Sequence, residues 1–157
     1  MGTIEKKLNG MGYTVPEPWK FPKPNRRGCV RVGNVLFLSG HGPHHPDLPV
    51  KDHGKLGADI TVADGYVAAR AAALMMLATV KKEIGDLDRV QRVIRLFGMV
   101  NCTADFAQTP NVIDGASDLF LELWGPDYGC HARCAVGMVT LPRGQSIEIT
   151  GEFEVKP

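Results

Sequence analysis

The hydrophobic positions of this chain change period several times, and each change marks an element. From Val62 to Ile84 the apolar positions Val62, Tyr66, Ala69, Ala73, Leu77, Val80 and Ile84 step by four and three, the repeat of an α-helix. Asp59 or Thr61 can open this helix as N-cap, and Gly85 closes it. Between Val67 and Val80 only Arg70 and Thr79 are polar, so burial on more than one side is expected. A second helix is predicted from about Val112 to Trp124, stopped by Gly125-Pro126. Elsewhere the period falls to two. Cys29 to Arg31 and Val35 to Ser39 flank the turn signal Gly33-Asn34 and read as a β-hairpin. Arg89 to Asn101 reads as a sheet-interior strand, with Val90, Ile94, Leu96 and Val100 on one face and Val93, Phe97 and Met99 on the other. Ala132 to Leu141 and Ile147 to Val155 form two more strands, joined by Pro142-Arg143-Gly144-Gln145. The last alternates cleanly, with Ile147, Ile149, Phe153 and Val155 opposite Glu148, Thr150, Glu152 and Glu154.

The resulting order, ββαβαββ, predicts an α+β sandwich with two helices on one face of one sheet. The other face then needs cover, and in a chain this small a second copy of itself is the simplest source. Residues 1–27 carry a short helix-compatible stretch around Ile4 to Leu8 and then Pro16, Pro18, Pro22 and Pro24. Proline fixes φ and removes a donor, so this segment is expected as an arm packed over the domain rather than a sheet strand. Residues 40–60 hold glycine, proline and four of the five histidines and read as a loop.

Length and charge narrow the classes of function. At 157 residues one well-buried core is expected, so residues 1–157 are read as a single domain. A net charge of +1 gives no chain-wide attraction to nucleic acid or anionic membrane. No apolar run in the sequence approaches the ~18 residues of a membrane span, and no apolar leader follows Met1. Cys29, Cys102, Cys130 and Cys134 are therefore expected as free thiols in a reducing, cytoplasmic setting.

Among candidate chemical groups, Arg133 stands out because its strand face holds only Ala135, Gly137, Val139 and Leu141, which offer no counter-charge. Its planar fork suits a bidentate clamp on a carboxylate; the alternative is an arginine at a strand end reaching solvent or pairing with a neighbouring carboxylate. Glu148 lies on the polar face of the last strand, where a glutamate is ordinarily solvated. If the last two strands pair as a hairpin, Arg133 faces Glu154 and Glu148 lies about six residues away, roughly 20 Å at ~3.3 Å per residue. One small ligand could then touch both only between subunits. His41, His44, His45 and His53 invite a metal reading, but Pro43 and Pro46 break the pattern and the spacing matches no standard site. Cys130 and Cys134 lack Cys-x-x-Cys spacing and are expected as buried, inert thiols facing away from Arg133. Gly40 suits close backbone approach to a ligand oxygen at a strand end. His131 is expected to be a satisfied structural histidine.

Four separated blocks together resemble the Rid/YjgF family: Val35-Leu36-Phe37-Leu38-Ser39-Gly40-His41-Gly42-Pro43, Asp86-Leu87-Asp88-Arg89-Val90, His131-Ala132-Arg133-Cys134-Ala135-Val136-Gly137, and Leu141-Pro142 with Ile147-Glu148-Ile149. The resemblance spans residues 28–157. The longer loop at 101–118 is similar to the subgroup labelled endoribonuclease L-PSP or chorismate-mutase-like. It implies a chorismate-mutase-like fold with a mixed sheet, assembled as a homotrimer with clefts between subunits. In deaminase members the arginine matching Arg133 binds the carboxylate of a 2-imino acid, and the glutamate matching Glu148 is proposed to orient or activate water. Neither metal nor organic cofactor is implied, since an imine is already electrophilic. Gly40 and Ala135, from the matching blocks, join the implied substrate-binding positions. Arg26 falls where deaminase members often carry tyrosine, and either adds a cation to the cleft or lies on the exposed arm. Ser117 or Asp114 stands nearest the family's helix-start asparagine.

Three functions follow as expectations. The first is a cofactor-free hydrolytic deaminase acting on small carboxylate-bearing enamines or imines. The second is a trimer that binds small acids without turnover. The third, endoribonuclease action, is disfavoured by the neutral charge balance and by the absence of an aromatic platform interleaved with Lys and Arg.

Overall fold

The computed structural model describes all residues, 1–157, as one α+β unit. Its elements are α1 (Thr3–Gly10), β1 (Cys29–Val32), β2 (Val35–Leu38), α2 (Val62–Ile84), β3 (Val90–Asn101), α3 (Thr109–Gly129), β4 (Ala132–Met138) and β5 (Ile147–Val155). The strands form one mixed sheet in the order β1-β2-β5-β3-β4. Three helices are present rather than two: the segment read as compatible with a helix at Ile4 to Leu8 forms α1, which packs against α3.

Several elements end for a visible reason. Gly33, at φ 59°, makes the β1–β2 turn, a conformation that costs glycine little. Thr61 caps α2 through a reciprocal box with Asp64, and Gly85 closes it at φ 82°. Gly125, at φ 75° and ψ 179°, breaks α3 where Gly-Pro was read as its end; a short second helical turn follows, to Gly129. The start of α1 has no cap of its own. Instead the Asp88 carboxylate accepts from the backbone N–H groups of Ile4 (2.8 Å) and Thr3 (2.7 Å). Those bonds hold the Asp88 pKa below the ordinary carboxylate value. They also pin the arm, so that Ile4 and Leu8 reach the core.

The order of the last strands differs from the hairpin expectation. β4 pairs in parallel with β3, and β5 pairs antiparallel to the other side of β3 and to β2. The segment Pro142-Arg143-Gly144-Gln145 is thus part of a crossover rather than a hairpin turn. The phase of β3 also differs. Its ladder with β5 slips between Val90 and Arg92 and again between Val93 and Arg95, so Val90, Val93, Leu96 and Val100 all reach the core while Ile94 is exposed. An extra residue in a strand shifts which face follows it, and alternation alone does not show this.

The core lies between the sheet and the α2–α3 layer. α2 is long and apolar enough for a membrane span by length and composition, but 67% of its most apolar stretch is buried inside the fold. Its alanines let neighbours come close. At Gly115 of α3 any side chain would strike the Tyr66 carbonyl of α2, so the contact between the two helices requires glycine there. Phe153 of β5 and Phe120 of α3 meet edge to face at 5.5 Å, both fully buried. The opposite face of the sheet has no helix on it and leaves Phe37 and Val30 about half exposed. Phe153→Ala should cost about 3–5 kcal/mol of stability, read as a lower urea midpoint with an unchanged slope.

Candidate functional site

Two clusters carry the polar chemistry, and the sheet separates them. The first is built on the start of β4 and the first half of α3. Arg133 pairs across the ladder with Leu96, which in turn pairs with Gly151. That row faces the helices, so the guanidinium is directed at α3. Asp114 and Ser117 lie on one side of that helix, three residues apart, and both accept from Arg133 Nη1: Asp114 Oδ1 at 2.7 Å and Ser117 Oγ at 3.1 Å. The Arg133 side chain is 20% exposed. A counter-charge therefore exists, supplied by a helix rather than by the strand face. Of the two readings of Arg133, pairing with a nearby carboxylate is present, and it fixes the fork in place.

Ser117 has a second partner. His131 Nε2 lies 3.0 Å from Ser117 Oγ, and His131 Nδ1 lies 2.7 Å from the Gly129 carbonyl. A carbonyl only accepts, so Nδ1 carries the ring proton and Nε2 accepts from the Ser117 hydroxyl. Ser117 then uses its oxygen for Arg133 and its hydrogen for His131, and the relay is complete with a neutral imidazole. Burial, followed by the nearby Arg133 charge, lowers the His131 pKa against the Gly129 bond that raises it. Ala135 shares the Arg133 face; its carbonyl already accepts from Thr109 Oγ1 at 3.0 Å, so its backbone oxygen is occupied within the chain.

The second cluster lines a cavity of about 560 Å³ between the arm, the end of β2 and the turn before β5. Gly40, Glu148, Arg26, Arg143, His44 and Gln145 border it. Glu148 is half-buried, and the loss of water raises its pKa, opposed in part by a hydrogen bond from the Gln145 side chain. Gln145 is held in turn by His44, whose Nε2 donates to Oε1 at 3.0 Å. Gly40 abuts the Glu148 carboxylate so closely that a side chain there would collide with it. Arg26, left open between arm and cleft by the sequence, does both: it is exposed on the arm and borders the cavity, stacked over Phe21 at 5.1 Å.

The remaining histidines have separate structural tasks. His41 Nδ1 donates to the Ser39 carbonyl (2.7 Å), so Nε2 accepts from the Thr79 hydroxyl (2.7 Å); burial pushes its pKa down to about 4. His45 Nε2 donates to the Thr14 carbonyl at 3.1 Å. His53 pairs with Asp52 at 2.9 Å. No three His, Cys, Asp or Glu side chains converge in metal-binding geometry. Cys130 and Cys134 are exposed rather than buried. Cys134 pairs with Phe97 and so faces away from Arg133, but that face of the sheet is uncovered within the chain.

Arg133 and Glu148 are not brought together within one chain. Glu148 pairs with Met99, and Arg133 with Leu96, so they stand three residues apart along β3 and on opposite faces. The separation is about 10 Å along the strands and about 10 Å across two of them, shorter than the hairpin geometry implied but across a closed sheet. The sequence missed Arg143, Trp19, His44 and Gln145 as neighbours of Glu148. The available signal was Pro142-Arg143-Gly144, an arginine inside a tight turn.

Residues 6–147 match the family described as "YjgF/chorismate_mutase-like, putative endoribonuclease". Protein TCP17 of Trypanosoma cruzi is 38% identical over 154 residues, covering 98% of this chain and 95% of that protein. The crystal structure of Atu1372, a protein of unknown function from Agrobacterium tumefaciens, superposes with a TM-score of 0.88 at 36% identity, covering 98% of this chain and 92% of that one. A "putative endoribonuclease" from Shewanella oneidensis MR-1 superposes at 0.90 with 32% identity, covering 98% and 100%.

The His131 relay makes a prediction. In proton–nitrogen correlation spectra, the ring should show its proton on Nδ1 and titrate below the ordinary histidine range. Ser117→Ala should raise that pKa, because the neutral ring loses the bond it accepts at Nε2.

Proposed function

From the premise that this chain belongs to the YjgF/chorismate-mutase-like family, we propose that it is a cofactor-free hydrolytic deaminase of small carboxylate-bearing imines or enamines, working in clefts of a homotrimer. The observation that carries this reading is the opposite placement of Arg133 and Glu148. One is a fixed fork held by Asp114 and Ser117; the other is a half-buried carboxylate with a raised pKa beside Gly40. A ligand using both must lie between subunits. The uncovered sheet face, with Phe37 and Val30 exposed, supports association.

In the proposed reaction Arg133 of one subunit holds the substrate carboxylate, sharing its donors with Asp114 and Ser117. Glu148 of the neighbour, ionised, takes a proton from water as that water adds to the imine carbon. Glu148 passes that proton to the imine nitrogen, giving the amino alcohol, then takes the hydroxyl proton as the carbonyl forms and delivers it to the same nitrogen, so that ammonia leaves. A raised pKa brings the carboxylic acid nearer the working pH for both transfers. The endoribonuclease label attached to relatives has one supporting feature here, the arginines stacked on Phe21 and Trp19, but both border a cavity of about 560 Å³, the size of a small-molecule site.

The test uses 2-iminobutanoate generated in situ, with ammonia as the readout. Arg133→Ala should lower kcat/KM by ~10²-fold or more, and equal rates in both proteins would remove the mechanism. Glu148 supplies a second readout. Activity should fall as pH drops through its raised pKa, giving an acid limb above the range of an ordinary carboxylate. Because folding raises that pKa, the ionised side chain costs stability at pH values above it. Glu148→Gln should therefore lose activity at neutral pH while its melting temperature stays level or rises.

A further inference from the structure

The cavity beside Glu148 carries more positive charge than the proposed reaction uses. Arg26 and Arg143 both border it, and neither has a carboxylate within salt-bridge distance. Each is stacked on an aromatic ring from the arm: Arg26 over Phe21 at 5.1 Å, Arg143 over Trp19 at 4.9 Å. Stacking on a ring face orients a guanidinium while leaving the edge of its fork able to donate; Arg26 spends one Nη1 donor on the Asn25 amide oxygen at 3.0 Å and keeps the others. Trp19 is itself positioned, with its ring 5.6 Å from that of His44, which binds Gln145.

The backbone adds an independent sign. Arg143 is the one non-glycine residue with positive φ, at 57°. It sits between Pro142 and Gly144 in a turn fixed by the bonds Gly144 N–H to Leu141 C=O (2.9 Å) and Gln145 N–H to Pro142 C=O (3.2 Å). Glycine would occupy this conformation without strain, whereas a β-carbon is disfavoured there. Strained positions of this kind cluster where a side chain is needed for function. The only carboxylate bordering the cavity, Glu148, has its proton affinity raised by burial.

We infer that Arg26 and Arg143 form a subsite for a second anionic group, so that the cleft selects 2-imino acids carrying a further carboxylate or phosphate over simple monocarboxylates. This rests on the proposed deaminase reading for its catalytic arm, and it concerns selectivity within that class. Arg26 and Arg143 are specificity-determining residues in this account; neither moves a proton.

Two measurements test it. In the first, calorimetry compares pyruvate, 2-oxoglutarate and 3-phosphohydroxypyruvate, stable ketones that stand in for the imines. The native protein should bind at least one of the doubly anionic ligands about tenfold or more tighter than pyruvate, and which one identifies the group as carboxylate or phosphate. Arg143→Gly and Arg26→Gln should each reduce that ratio severalfold, and Arg143→Lys should restore part of it. The glycine variant guards against misfolding, since it relaxes the turn and its melting temperature should not fall. Equal binding of singly and doubly anionic ligands by the native protein, or an unchanged ratio in both arginine variants, overturns the inference. In the second measurement, kcat/KM ratios for the imines of alanine and aspartate should follow the same order. If no imine is hydrolysed while the binding ratio behaves as expected, the subsite stands and the deaminase reading falls.

Discussion

Side chains on a β-strand point alternately to the two faces of its sheet, and β3 transmits this alternation to both neighbours. Leu96 carries Arg133 with it toward the helices, while Met99 carries Glu148 toward the uncovered face. A one-residue slip of either pairing would exchange those sides and expose the core at the same time. Burial of Leu96, Val100, Ile147 and Ile149 therefore holds the register, and the register places the two groups. Packing energy, rather than any direct contact between them, keeps Arg133 and Glu148 apart.

The two sides also prepare their charges differently. Arg133 is held in a network that uses the Ser117 hydroxyl as both donor and acceptor and both ring nitrogens of His131, so its fork is oriented before any ligand arrives. The nearby Asp114 carboxylate, 46% exposed at its side chain, offsets part of the charge and keeps a partly buried cation from standing unpaired. Glu148 is prepared by the loss of water, with Gly40 against it and Gln145 beside it. Orientation on one side and desolvation on the other suit the proposed imine substrate, which is already electrophilic and needs positioning and a proton carrier.

Much of this was legible in the sequence because it rests on periodicity and local signals. The spacing of Val62 to Ile84, the Thr61 and Gly85 ends, and the stop at Gly125-Pro126 are written into consecutive residues. The α+β class and the strand positions followed from the same signals. What was hidden depends on non-local pairing. The parallel β3–β4 ladder and the bulges of β3 involve residues far apart in the chain, and the Asp114 partner of Arg133 comes from a helix that strand alternation does not register. The arm was read as packed, but its attachment through Asp88 and its aromatic contribution beside Glu148 needed the third dimension. Cys134 reads as a buried thiol because free cysteines usually are and its side faces away from Arg133, yet that face is open within one chain.

Subunit mixing tests most directly whether Arg133 and Glu148 meet only across an interface. Arg133→Ala and Glu148→Gln proteins, each inactive alone, would be unfolded together, refolded as a mixture and assayed for imine hydrolysis. Random assembly of the proposed closed trimer restores about a quarter of the sites with both native groups, so activity should return to about that share of the native level. If both groups served a site within one chain, every chain in the mixture would lack one of them. A mixture as inactive as its parents, with mixed trimers verified by mass, would contradict the account.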